Sequence, residues 1–252
     1  MRGRAGHQAD CGQAPDSSGL LRRGLELLEV PDAAQAAALL ERYLQEIGKW
    51  NPRFGFVKAD GEELIVKHVF DSLSAWRIVR DLAEGAWGAG GEHRGAESGR
   101  PGAGTVLDIG SGAGFPGIPL AAVLPSLGFT LMERSAKRAA FLANCALILG
   151  LRNVRVLEED LSAASGEYEV ITFRAVAPLD RFFADLLHAR VRCRAVAAYK
   201  GREARAREEL ECMRDAGMAF DSEITRVRVP FMDEERHIVS IRLNRNEEIS
   251  PR

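Results

Sequence analysis

The stretch VLDIGSGAGFPG, Val106 to Gly117, holds the residues whose types and spacing speak most directly to chemistry. Gly110, Gly112 and Gly114 admit backbone conformations closed to other residues and let a ligand approach the main chain closely. Gly112, Gly114 and Gly117 also satisfy G-x-G-x-x-G, a pattern that says little alone. Asp108 sharpens it. A carboxylate at the head of D-x-G-x-G-x-G repels the pyrophosphate of NAD and suits the ammonium of an amino-acid-bearing cofactor. S-adenosyl-L-methionine carries such an ammonium together with a sulfonium. The plainer reading of the same residues is a tight turn without a ligand.

Other charged residues recur where strands are expected to end. Glu133 closes the second strand, where an acid commonly receives the ribose hydroxyls of a nucleoside cofactor, and Glu159 and Asp160 follow the third, where one of them would meet the adenine. An exposed acidic run is the alternative for that pair. Arg174 and Lys200 follow later strands and could bind phosphate or neutralise an acceptor nucleotide; the alternative is two solvent-exposed strand ends. His68 and Asp71, three apart on one helical face, would pair with each other or with the cofactor-binding part of the chain. A structural hydrogen bond is the reading for His68 and for His237. Arg22, Arg23 and the mixed run Arg202 to Glu211 read as solvated helix faces.

These residues need elements to hold them. Residues 1–18 lack periodicity and read as a disordered extension, and 19–84 read as a helical amino-terminal lobe. In that lobe Ala33, Ala36, Ala37, Leu40, Tyr43, Leu44 and Ile47 recur on one helix face, with Asp32 and Gln35 capping its start. A second helical stretch runs from Glu62 to Leu82, carrying Leu64, Ile65, Val69, Leu73 and Trp76. Residues 85–104, rich in Gly, Ala, Ser, Glu and Arg, read as a loop. From 105 to 244 short apolar strands alternate with helices. The strands are expected at Thr105 to Ile109, Gly128 to Met132, Asn153 to Leu157, Tyr168 to Phe173 and Cys193 to Tyr199. Between them lie helices at Gly117 to Leu124, Ser135 to Leu149 and Pro178 to Ala189, and another follows at Arg202 to Ala216. This alternation implies an α/β fold with a parallel sheet. The last two strands, Phe220 to Val229 and Arg236 to Asn244, have no helix between them and should pair antiparallel at one edge, leaving 245–252 as a tail.

Composition narrows the class. A chain of 252 residues suits one or two domains of roughly 150 residues each. With 46% hydrophobic and 28% charged residues it can bury a core and stay in solution, unlike a disordered chain. No window approaches the roughly 18 uninterrupted apolar residues of a membrane span, and the small, polar start does not read as a secretory signal, so a cytoplasmic location is expected. Cys11, Cys145, Cys193 and Cys212 form no C-x-x-C pair, so free thiols and no metal are expected. A net charge of −2 argues against wrapping nucleic acid over the whole surface, leaving a local basic face. Only five of the 34 basic residues are lysine, which reflects either phosphate recognition by planar guanidinium forks or a biased composition.

VLDIGSGAGFPGIPLA, ITFRAVAPL, the YKG of Tyr199 to Gly201, the pair Arg236 and His237, and IVKHVFDSL from Ile65 to Leu73 resemble the small-subunit ribosomal RNA methyltransferase G family, also called GidB. The resemblance spans about Leu20 to Leu243 in the family's order. It implies a class I, Rossmann-like S-adenosyl-L-methionine-dependent methyltransferase domain over 105–244, with a seven-stranded, mostly parallel sheet behind the helical lobe. The implied reaction is methyl transfer to N7 of a guanine in 16S ribosomal RNA, with that RNA or the small ribosomal subunit as partner. It also implies Gly110 and Phe115 at the cofactor, Glu133 at the ribose, Glu159 and Asp160 at the adenine end, and Arg174 between cofactor and acceptor pocket. The chain departs from the family pattern after Trp50 and Asn51. A second asparagine followed by leucine and threonine is usual there, and this chain has Phe54, Gly55, Phe56 and Val57, which replaces a side-chain amide at the pocket wall by glycine.

The chemistry agrees with the resemblance. Guanine N7 offers a free lone pair and loses no proton on methylation, so alignment and electrostatics suffice and no dedicated base is needed. Exocyclic amine methylation tends to use Asn or Asp followed by Pro-Pro and an aromatic, where FRAVAP stands here. Pyrimidine C5 methylation uses a cysteine nucleophile, and no cysteine lies near that loop. Two alternatives stay open at this level: a methyltransferase of another acceptor, and an assembly factor that binds cofactor or RNA without turnover.

Overall fold

A computed structural model describes residues 17–85, 104–188 and 190–243. Residues 86–103 of the expected loop, the tail at 245–252 and the first sixteen residues of the expected extension lie outside the described residues. Ser17 and Ser18, assigned above to the extension, begin helix α1 (Ser17–Leu27).

Helix α2 (Ala33–Phe54) follows the apolar periodicity and buries Ala36, Ala37, Leu40, Tyr43 and Ile47. The capping expected of Asp32 does not form: Asp32 has φ 47° and its side chain makes no cap hydrogen bond. A residue in the left-handed region turns its side chain away from the first-turn N–H groups that an extended N-cap residue would meet. The second helical stretch is also not one helix. It breaks into α3 (Gly61–Leu64), a π-helical turn (Ile65–Phe70), α4 (Asp71–Leu73) and α5 (Trp76–Ala83). The wider turn changes which residues share a face, and such turns concentrate at functional sites.

Every short apolar run after residue 104 becomes a strand: β1 (Thr105–Ile109), β2 (Gly128–Met132), β3 (Val154–Leu157), β4 (Ser165–Arg174), β5 (Arg190–Lys200), β6 (Phe220–Val227) and β7 (Arg236–Leu243). Between them run α6 (Gly117–Val123), α7 (Ala136–Leu149), α8 (Leu179–His188) and α9 (Glu203–Asp215). The sheet order is β3-β2-β1-β4-β5-β7-β6. The first five strands are parallel, and β7 is antiparallel to both β5 and β6, so the last two strands pair as expected with β7 slotted inside β6. The sequence direction reverses between β1 and β4, and in open α/β sheets the crevice outside the carboxyl ends of the strands at such a point is where ligands bind.

Alternation along the strands feeds two cores. Val106, Val170, Ala195, Ala197 and Ile238 share one apolar cluster with α6 and α7 and with Leu21, Leu40, Val69, Phe70, Leu73 and Val79 of the amino-terminal helices. Leu107, Ile109, Ile171, Phe173 and Val196 face the other way, onto Leu179, Phe182 and Phe183 of α8 and Ala206 and Leu210 of α9. The amino-terminal helices are therefore one layer of the sandwich, packed on the face that also carries the crossovers around β1 and β2.

Candidate active site

Glycine lets the chain leave β1 sharply. Gly110, Gly112 and Gly114 have φ of 67°, 61° and 103°. Glu133, buried at the end of β2, holds the resulting loop: Gly112 N–H donates to its Oε2 at 2.9 Å and Ser135 N–H to its Oε1 at 2.9 Å. Inside the turn, Gly114 N–H donates to Ser111 O at 2.7 Å, and Ser111 N–H donates to Met132 O at 3.0 Å. The peptide bond between Phe115 and Pro116 is cis.

Asp108 sits beneath this loop with no exposed surface. Its Oδ2 accepts Gly117 N–H at 3.0 Å, while its Oδ1, also buried, has no hydrogen-bond partner among the described residues. Burial pushes its carboxyl up to about 7, against the lowering effects of the Ser111 hydroxyl and then the Gly117 N–H. An unpartnered buried carboxylate oxygen costs free energy unless a donor or cation meets it.

The end of β4 faces this loop. Arg174 Nη1 donates to Asp71 Oδ2 at 2.8 Å and to Lys67 O at 3.2 Å, and its Nη2 approaches His68 Nδ1 at 2.8 Å. A guanidinium only donates, so His68 Nδ1 is the acceptor and the ring is neutral. Burial, and then the Arg174 charge, lower His68 to about 4, which agrees with that geometry. Asp71 Oδ1 accepts Arg236 Nε at 3.0 Å, so one carboxylate of the helical layer clamps arginines from β4 and β7. His68 and Asp71 thus pair with the sheet and not with each other. The Arg174 guanidinium lies 5.4 Å from the Phe115 ring centroid and the His68 ring 5.0 Å from it. The next residue, Ala175, has φ 56°, a strained conformation for a residue with a Cβ, and carries the chain to the exposed Val176 beside Gly110.

Asp108, Gly110, Gly112, Phe115, Glu133 and Arg174 come together at the carboxyl ends of β1, β2 and β4. Glu159 lies partly exposed after β3. Asp160 is exposed, and its Oδ1 accepts both N–H and Oγ–H of Ser162, which holds its carboxyl below its usual value. Lys200 Nζ meets Glu209 Oε2 at 2.6 Å, and that oxygen also accepts Leu179 N–H at 2.9 Å, so the ammonium joins β5 to α8 and α9. By the same contact Glu209 is a buried pairing residue inside the run Arg202 to Glu211 that reads as solvated. His237 Nδ1–H donates to Gly201 O at 2.6 Å, a structural bond.

Two tyrosines were missed as site residues. Tyr43 of α2 donates to Ala113 O at 2.5 Å, fixing the glycine loop, and Tyr199 donates to Ser72 O at 2.5 Å, fixing the helix that carries Asp71. Both are buried, which raises both phenols well above their ordinary value. The available signal is a phenol among Leu and Ala on a core face, because a buried Tyr O–H needs an acceptor.

The strand order, the glycine loop after β1 and the acid ending β2 define the class: an S-adenosyl-L-methionine-dependent class I methyltransferase. Human methyltransferase 10 domain containing protein has the same fold, with a TM-score of 0.54 at 15% identity over 83% of this chain and 98% of that one. The chain belongs to the rRNA small subunit methyltransferase G family, whose model matches residues 95–239. The ribosomal RNA small subunit methyltransferase G of Treponema denticola is 33% identical over 242 residues, covering 89% of this chain and 94% of the relative. That of Cupriavidus necator is 36% identical over 231 residues, covering 87% and 91%. Among the described residues no helix is long and apolar enough to cross a membrane, and no group of three or more His, Cys, Asp or Glu is placed to hold a metal ion.

Proposed function

We propose that this chain transfers a methyl group from S-adenosyl-L-methionine to N7 of a guanine in 16S ribosomal RNA of the small subunit, in the cytoplasm. The observation that carries the reading is the state of His68: it is neutral and its Nδ1 is taken by Arg174, so the nearest imidazole is not free to accept a proton there. N7 methylation asks for none. When bound, the cofactor supplies an electrophilic methyl group on a sulfonium. Asp108, Gly110, Gly112, Phe115 and Glu133 would hold it, with Glu159 and Asp160 toward the adenine. Two features fit such a group: the unpartnered Asp108 Oδ1, and the space above Gly112, where an added Cβ would meet only Gly110 O, at 3.8 Å. Arg174 would orient the acceptor, its charge held in place by Asp71. The test is to incubate the protein with labelled cofactor and small subunits lacking their own methylations, then map the label. Label on N7 of one guanine is expected; label on an exocyclic amine or a protein, or none, refutes the assignment.

Two pH profiles follow. With saturating substrates, the single-turnover rate should show no limb near 6.5, because His68 titrates at about 4, and His68→Gln should cost only a few-fold. A unit-slope limb near neutrality that vanishes in His68→Gln would make His68 a base. Cofactor affinity behaves differently. Asp108 is protonated in the free protein below about 7, so affinity for the ammonium should strengthen as pH rises toward 7 and level off above it, until the ligand amine deprotonates near 8. Asp108→Asn should flatten the profile, as read by calorimetry; an unchanged profile would separate Asp108 from the ammonium. In the free protein the same shift means that stability falls as pH rises from the ordinary value of 3.8 toward 7, since the native state binds the proton more tightly than the unfolded chain.

A further inference from the structure

Three contacts fix the direction of α2 against α7. Arg42 Nη2 donates to Ile148 O, Asn144 Nδ2 donates to Glu46 Oε2 at 3.2 Å, and the Trp50 ring lies 5.5 Å from that of Phe141. Positions rise along α2 as they fall along α7, so the two helices run antiparallel. Helix α7 starts three residues after Glu133, at the carboxyl edge of the sheet. The end of α2 and the turn after it therefore stand at that same edge.

That turn carries a cluster of aromatic rings. Phe54 and Phe56 lie 5.4 Å apart between centroids with an interplanar angle of 7°, Trp50 is 5.5 Å from Phe54, and Phe56 is 5.2 Å from the buried Phe141. Phe54 is the last residue of α2, and Phe56 follows Gly55, the residue that caps it. Gly55, with φ 61°, reverses the chain so that their rings face each other. The turn is then locked, since Asn51 donates from Nδ2 to Val57 O at 2.7 Å and accepts Val57 N–H at 2.9 Å. Trp50 and Phe56 pack against the core and remain partly exposed, while Phe54 is partly exposed outside it. The Arg53 guanidinium sits 5.3 Å from the Phe54 centroid, and Lys58 is exposed on the same turn. Carboxylates follow at Asp60, Glu62 and Glu63, the last paired with Lys67 at 2.6 Å.

We infer that Phe54, backed by Phe56 and Trp50 and flanked by Arg53 and Lys58, is a stacking platform for an unpaired base of the RNA next to the methylated nucleotide. Rings held rigidly beside cations, at the edge where the reaction takes place, are what single-stranded RNA binds, base on ring and phosphate on cation. The inference rests on the ribosomal RNA reading above and adds to it a second contact with the substrate.

Affinity for a single-stranded RNA 12-mer and for small subunits lacking their own methylations would be measured across a salt series, for the parent, Phe54→Leu, Phe54→Trp, Arg53→Gln and Lys58→Gln. Phe54→Leu should weaken RNA binding about tenfold with the salt slope unchanged, and Phe54→Trp should restore it. Arg53→Gln and Lys58→Gln should each flatten the slope by about 0.7. Melting temperature and cofactor affinity, unchanged in Phe54→Leu, show that its fold is intact. Should that variant fold poorly, Phe54→Trp and the two charge variants still decide, and parental slopes in both of the latter refute the platform. RNA binding by Phe54→Leu equal to the parent's overturns it, as does a loss confined to assembled subunits, which would mark a ribosomal protein as the contact. A parent that binds neither probe refutes the ribosomal RNA reading itself.

Discussion

Replacing Asp71 by alanine should lower stability by roughly 3 kcal/mol and reduce methyl transfer at least about 100-fold, because one buried carboxylate neutralises two arginines. Asp71 is 4% exposed and meets Arg174 at 2.8 Å and Arg236 at 3.0 Å. Without it two guanidinium groups remain close together, partly withdrawn from water, and Arg174 loses the contact that aims it past Phe115. For a chain of this size the melting temperature should drop by about 6–12 °C. Arg236→Met is the informative partner, since it removes one arginine and leaves the Asp71–Arg174 bond. It should keep most of the stability and more of the activity than Asp71→Ala. A melting temperature for Asp71→Ala within about 2 °C of the parent would show that the clamp is not structural.

Gly112→Val should leave a folded protein that binds its cofactor far more weakly, whereas Gly117→Val should fail to fold well. At Gly112, φ is 61° and the nearest atom to an added Cβ is Gly110 O at 3.8 Å, so the cost to the fold is backbone strain of roughly 2 kcal/mol. The side chain would fill the space where a ligand approaches the loop, and affinity should fall about 100-fold, or roughly 3 kcal/mol. At Gly117 an added Cβ would come within 2.2 Å of Leu131 Cδ2 and 2.6 Å of Asp108 Oδ2, a clash inside the core worth about 3 kcal/mol or more. Melting curves and calorimetry on both variants separate the two effects. Parental cofactor affinity in Gly112→Val would remove the loop from the binding site.

The strands and most helices were legible because they rest on local patterns. Thr105–Ile109 and Gly128–Met132 coincide with their apolar runs, since a strand buried on both faces is a short unbroken run of apolar residues. The π-helical turn at Ile65–Phe70 was not legible. Its sequence satisfies helical periodicity, and the wider turn goes with a long-range contact: Arg174 takes Lys67 O and His68 from it, and Asp71 just beyond it, at once.

By itself the sequence determined the glycine loop, the acids at the ends of β1 and β2, the alternation that makes a parallel sheet, and the family. Each depends on residues near one another in the chain, where spacing fixes geometry. Only the tertiary structure decided how the charges pair. Lys200 and Arg174 look alike in sequence, each a cation ending a strand, yet Lys200 turns to Glu209 at 2.6 Å and Arg174 to Asp71 at 2.8 Å. The difference arises because Arg174 stands in register with Tyr199, which faces the helical layer, whereas Lys200 is one residue further along β5 and points to the opposite face, onto α9. Partners so distant along the chain are chosen by which faces the fold closes together, and burial then makes each choice binding, because a charge withdrawn from water must keep the counter-charge it meets.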